Sequence, residues 1–169
     1  CQLGTQFDEH LKSDLRVYRR YYPSAANATF TSMAEVRGAL AHKYDILHLF
    51  CAVEGGGAIS DASGDRITGA DLLSSAASNN LKLLWIGNDN PQSAYEAGFQ
   101  TKGLKINTVF TLRRLGSNTS LFLDNLLGKM TSGETIAKAW EAAQPSGKSV
   151  QPDVPHTISY LGRGSVILK

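Results

Sequence analysis

Cys51 and His48 are the side chains of this sequence best suited to covalent chemistry, because a thiolate attacks carbonyl carbons and an imidazole can accept its proton. Both lie in the apolar stretch 44–54, which predicts a β-strand over residues 46–51. Residues three apart in a strand point to opposite faces of the sheet, so His48 cannot act as a base for the Cys51 sulfur. We therefore expect Cys51 to pack in the core and His48 to be a satisfied histidine on the other face.

Turn residues follow this strand and a second predicted strand over residues 81–86. In open α/β sheets, the carboxyl ends of the strands line the crevice in which ligands bind. The predicted cleft at these ends is lined by Ala52, Glu54, Asn88, Asp89 and Asn90. The carboxylates of Glu54 and Asp89 favour a basic group there, such as an Arg or Lys side chain. The alternative interpretation is that all five are solvated turn residues.

Other kinds of site lack the residues they need. The run Gly55-Gly56-Gly57 has neither the Lys-Ser/Thr of a phosphate-binding loop nor the spacing of a dinucleotide fingerprint. The four histidines are scattered without metal-ligand spacing. The net charge is only +2, and no cluster of Lys and Arg forms a basic stripe. The sequence therefore predicts no metal, no cofactor and no nucleic-acid partner.

The elements that must position the cleft alternate between helices and strands. Apolar periodicity and N-caps, including the capping box Ser32-Met33-Ala34-Glu35, define the helices. Helices are predicted over residues 7–21, 33–42, 68–77, 91–101, 117–130 and 134–143, the last capped by Thr131-Ser132-Gly133-Glu134. Strands are predicted over 29–31, 46–51, 81–86, 106–112 and 156–161, with a hairpin or exposed loop over 55–66. This alternation indicates an α/β fold with a mostly parallel central sheet and helices on both faces.

The length of 169 residues fits one domain, 1–169. Cys1-Gln2-Leu3-Gly4 has the pattern of a strand end, so we expect a fragment of a longer polypeptide that lacks most of its first strand. The two cysteines, one terminal and one in an apolar run, favour a reducing, cytoplasmic setting. No apolar run reaches the roughly 18 residues of a membrane span, so no membrane association is predicted.

The order of these motifs resembles the CHAT domain, a caspase-like cysteine peptidase family, over nearly the whole chain. Tyr44-Asp45-Ile46-Leu47-His48-Leu49 is similar to the strand that leads to the family's catalytic His-Gly turn, and the stretch 81–90 to the strand that ends in its catalytic Ser-Ala-Cys. Further similar stretches, in chain order, are 35–40, 65–73, 97–99, 107–112, 133–140 and 158–162. The resemblance implies a caspase-like three-layer sandwich.

The resemblance also implies that the chemistry is lost. Ala52 stands where the family has its His, and Asn88 where it has its Cys. Removing one member of a nucleophile–base pair costs on the order of a million-fold in rate. The expectation is a degenerate, catalytically inactive domain that binds a protein or peptide, including another domain of the same polypeptide. Two alternatives remain: an active peptidase with Cys51 as a displaced nucleophile and His48 or His156 as base, and a small-molecule- or nucleotide-binding α/β domain.

Overall fold

The computed structural model describes residues 1–54, 57–87, 107–111, 118–143 and 158–162. The described helices are α1 (Asp8–Tyr21), α2 (Met33–Ala41), α3 (Gly69–Ser78), α4 (Asn118–Thr131) and α5 (Ile136–Ala143). The described strands are β1 (Gln2–Leu3), β2 (Thr29–Phe30), β3 (Ile46–Phe50), β4 (Ile59–Ser60), β5 (Arg66–Ile67), β6 (Leu83–Gly87), β7 (Asn107–Thr111) and β8 (Ile158–Gly162).

Six strands form one sheet in the order β2-β1-β3-β6-β7-β8. Each neighbouring pair is parallel except β7 and β8, which are antiparallel. The prediction of an α/β fold with a mostly parallel sheet is therefore confirmed. The predicted hairpin is present as well, since β4 and β5 pair antiparallel as a separate two-stranded sheet.

Strands β3 and β6 form the middle of the sheet and pair residue by residue, from Ile46 opposite Leu83 to Phe50 opposite Gly87. Their side chains alternate between two core clusters. Leu49 and Ile86 pack with α2 and α3 in one cluster, whereas Trp85 packs with α1, α4 and α5 in the other. The described helices thus cover both faces of these strands. The alternation of side chains along β3 and β6 determines which cluster each side chain joins.

The start of α2 follows the predicted cap. The Ser32 hydroxyl accepts from the Glu35 N–H and the Glu35 carboxylate accepts from the Ser32 N–H, so the capping box is formed. The predicted start of the last helix is wrong: α5 begins at Ile136, and the Thr135 hydroxyl accepts from the Lys138 N–H at 3.4 Å. The helix predicted over 91–101 lies outside the described residues. None of the described helices is long and apolar enough to cross a bilayer.

Candidate functional site

The candidate site lies where β3 and β6 end side by side. The Cys51 N–H donates to the Gly87 carbonyl at 3.1 Å, so the two strands stay paired to their last residues. Gly87 is required here, since a Cβ would lie 2.7 Å from the Phe50 ring. Ala52 follows β3 at an exposed position. Asn88, Asp89 and Asn90 lie outside the described residues, so their place in the cleft stays a prediction.

Glu54 is held at this edge by the β4–β5 hairpin. The Ser60 hydroxyl donates to its carboxylate, and the Arg66 guanidinium lies 3.8 Å away. The Glu54 N–H donates to the Ala58 carbonyl at 2.7 Å, which fixes the backbone. The side chain is still 46% exposed. The predicted preference for a basic group is met by a cation of the same chain, in a surface pair worth about 0–1 kcal/mol.

The hairpin is itself anchored on α2. The Asp61 carboxylate accepts from the Met33 N–H at 2.7 Å, at the start of α2. Arg37 donates to Asp65 at 2.8 Å and to the Arg66 carbonyl at 2.9 Å. Hydrogen bonds, first from the Ser63 hydroxyl and then from the Met33 N–H, lower the pKa of Asp61. The wall beside Glu54 is therefore a fixed structure rather than a free loop.

This anchoring was not predicted from the sequence. The sequence predicts a hairpin or exposed loop over residues 55–66, but the partners of Asp61 and Asp65 on α2 lie 28 residues earlier in the chain. A local pattern contains no information about such a distant contact. The isoleucines on either side of these two aspartates, Ile59 and Ile67, are the sequence signal that the segment folds back on itself, and both are buried.

Cys51 is placed as predicted, in the core rather than at the site. Its side chain is fully buried and packs in the cluster that contains α2 and α3. Burial raises the pKa of the thiol well above its ordinary value. Because only the thiolate is a good nucleophile, the protein holds Cys51 in its unreactive form.

His48 lies on the other face of β3, within an aromatic cluster. Its ring stacks on Trp85 with centroids 4.8 Å apart and contacts Phe50 at 4.4 Å and Tyr18 at 5.7 Å. Its Nε2 is 4.0 Å from a carboxylate oxygen of Asp14. The sheet therefore separates His48 from Cys51, as the strand spacing predicts, and the imidazole forms part of a packed layer.

Asp14 is the site-like residue that sequence reasoning missed. It lies on α1 and is only 1% exposed. The Ser120 hydroxyl of α4 donates to it at 3.4 Å. Its position between Leu11 and Tyr18, within the apolar stripe of α1, was the signal that could have identified it.

The described residues contain no group of three His, Cys, Asp or Glu side chains that could hold a metal ion. Comparison of the chain with protein-family models and with curated proteins finds no match. The geometry of the site is thus the basis for a functional interpretation.

Proposed function

We propose that this chain is a catalytically inactive, CHAT-like domain with a caspase-like three-layer sandwich, which serves as a binding or scaffolding module in a larger protein. The order of its elements supports this proposal, with a mostly parallel sheet, α2 and α3 packed on one face, and α1, α4 and α5 on the other. A short hairpin after β3 also fits the resemblance. The proposed partner is a protein or peptide, including another domain of the same polypeptide.

The observation that carries the proposal is the exposed Ala52 at the end of β3. A methyl group can neither accept a proton nor orient a nucleophile. The residue at the position of the family's base therefore cannot take part in catalysis. Asn88 follows the last residue of β6 in the sequence, and its amide is not a nucleophile. Cys51 cannot substitute, because it is buried on the face opposite His48.

The site keeps features that suit recognition rather than cleavage. Glu54 presents a half-exposed carboxylate at the strand ends, and the anchored hairpin fixes its position. Besides the Ser60 hydroxyl, its charged partner is Arg66 at 3.8 Å, a contact long enough to be exchanged for a closer one. A peptide with an Arg side chain at this edge would form shorter, charge-assisted hydrogen bonds with Glu54.

Thiol labelling tests the loss of catalysis. Iodoacetamide should leave Cys51 unmodified in the folded Cys1→Ser variant and modify it after unfolding in urea, because burial raises the pKa of this thiol. The matched Cys51→Ala variant reports on Cys1 alone. Rapid, pH-sensitive labelling of Cys51 in the folded protein would overturn the proposal in favour of a peptidase with a displaced nucleophile.

Peptide binding tests the retained function. Fluorescein-labelled nonapeptides that differ only in a central Arg, Lys, Ala or Glu are titrated with the protein and followed by anisotropy. The Arg peptides should bind most tightly, and Glu54→Gln should weaken them about tenfold, as expected for a lost charge-assisted bond of about 1.4 kcal/mol. Equal affinity for the Arg and Glu peptides, or cleavage of any of them, would contradict the proposal.

A further inference from the structure

The β4–β5 hairpin contains two ion pairs that differ in geometry. Toward α2, two nitrogens of the Arg37 guanidinium donate to the two oxygens of the Asp65 carboxylate, at 2.8 and 3.4 Å. Toward the end of β3, one nitrogen of Arg66 lies 3.8 Å from one oxygen of Glu54, which is beyond hydrogen-bond distance. The first pair therefore belongs to the framework of the hairpin, whereas the second is a loose contact that leaves both charges available. We call the Glu54–Arg66 pair the latch.

The backbone of Arg66 is held firmly, whereas its side chain is mostly exposed. Its N–H donates to the Asp65 carboxylate at 2.8 Å, and its carbonyl accepts from Arg37 at 2.9 Å. Arg66 also pairs with Ser60 across the hairpin. The Arg66 side chain, in contrast, is 59% exposed. Arg66 is thus a resident cation on a short tether, and a cation of a partner would have to displace it from Glu54.

The backbone of Glu54 is held as well. Its N–H donates to the Ala58 carbonyl at 2.7 Å, and its carbonyl accepts from the Gly57 N–H at 2.9 Å. The Ser60 hydroxyl donates to the carboxylate oxygen Oε1, and the other oxygen, Oε2, faces Arg66. The latch therefore presents two opposite charges on fixed backbones. It follows the carboxyl end of β3, the edge at which open α/β sheets bind ligands.

We propose that a partner opens the latch by an exchange of charges: Glu54 binds an Arg side chain of the partner, and the released Arg66 binds an acidic one. This inference rests on the proposed function and names its partner more closely. The partner is an extended segment with Arg and Glu two residues apart, because such side chains lie on one face of a strand, about 7 Å from each other. Both charges of the latch keep an opposite charge in the complex, so neither is left uncompensated.

The test uses fluorescein-labelled nonapeptides with Arg-Ser-Glu or Glu-Ser-Arg at the centre, because an extended peptide can lie along the site in either direction. The tighter of the two is compared by anisotropy with the same peptide carrying Gln in place of Glu. The unaltered protein should prefer the Glu peptide about fivefold, as expected for one exposed ion pair. Arg66→Gln should reduce this preference to less than about twofold.

Arg20→Gln is the matched control, because it removes a similarly exposed arginine that pairs with Asp124, far along the chain from the latch. It changes the net charge by the same amount and should preserve the preference for Glu. An unaltered protein without this preference, or an Arg66→Gln variant that keeps it in full, would overturn the proposal.

The resident cation also predicts a gain in affinity. The Gln peptide must displace Arg66 without offering it a new partner, so Arg66→Gln should tighten binding of this peptide about threefold. In the Glu54→Gln background the same substitution should change the affinity by less than about 1.5-fold, because there is no ion pair left to open. Equal tightening in both backgrounds would show that Arg66 acts only through the net charge, and would overturn the latch.

Failure of this inference is distinguishable from failure of the proposed function. If peptides with Arg alone bind through Glu54 and an added Glu changes nothing, the binding function stands and the charge exchange is wrong. If no peptide binds, or if Glu54→Gln leaves every affinity unchanged, the proposed function fails as well.

Discussion

The two faces of β3 differ in what they do with a reactive side chain. On one face, Cys51 lies among aliphatic residues of α2 and α3, and burial keeps its thiol protonated. On the other face, His48 lies among Trp85, Phe50 and Tyr18, with the Asp14 carboxylate nearby. A thiol and an imidazole that are three residues apart in the sequence are thus insulated from each other by the strand that holds both. Proximity in sequence within a strand argues against shared chemistry.

The two faces of β3 also differ in whether they bury polar side chains. The Cys51 face is an aliphatic layer in which no charged residue is buried among the described residues. The His48 face buries a carboxylate as well, and the Ser120 hydroxyl of α4 meets it. Aromatic rings are polarisable neighbours for an imidazole. The His48 ring therefore contributes packing area to this layer rather than reactivity.

The largest expected effect on stability comes from removing an aromatic ring on the face of the sheet that contains His48. Trp85→Ala removes a fully buried ring that stacks on His48 and meets Phe122 edge-on with centroids 5.8 Å apart. The cost should be about 3–5 kcal/mol of unfolding free energy, measured by urea denaturation. Leu121→Ala is the control, because that side chain is 59% exposed and should change stability by less than about 0.5 kcal/mol. Similar losses in the two variants would contradict the described packing.

The next effect is a pH dependence in a chain prepared with Cys1 as its first residue, because the α-amine of Cys1 then bonds to the backbone of His48. Burial lowers its pKa to about 6 in the folded protein, from 8.0 for an ordinary α-amine. The unfolded state therefore binds more protons between these values, so this group makes stability rise from pH 6 to pH 8, by about 3 kcal/mol. The gain is complete above pH 8 and is lost as the pH falls to 6.

Acetylation of the amine isolates this contribution. The acetylated chain keeps an N–H for the His48 carbonyl but has no charge to desolvate, so its stability should rise less over the same pH range. All other titratable groups are the same in both proteins, so their effect cancels in the difference between the two urea-denaturation series. Identical pH dependence with and without acetylation would show that the amine is solvated.

The sequence predicted the features that depend on local spacing. Strand alternation assigned His48 and Cys51 to opposite faces, and the capping box located the start of α2. The sequence did not predict contacts between residues that lie far apart in the chain. The Ser120 hydroxyl that donates to the buried Asp14 lies 106 residues later in the chain, and the Met33 N–H that donates to Asp61 of the hairpin lies 28 residues earlier. Such pairings depend on the sheet order, which no window of sequence contains.

The smallest expected effect on stability tests whether the layer around Cys51 tolerates a polar group. Cys51→Ser replaces the thiol with a hydroxyl in a fully buried aliphatic layer, where it must lose its hydration, and should cost roughly 2 kcal/mol of unfolding free energy. Cys51→Val keeps the position apolar, adds one heavy atom to the side chain and should cost less than about 1.5 kcal/mol. Urea denaturation of both variants measures the difference. If Ser were tolerated as well as Val, a polar partner would have to reach position 51, and the two faces of β3 would be less distinct than the packing indicates.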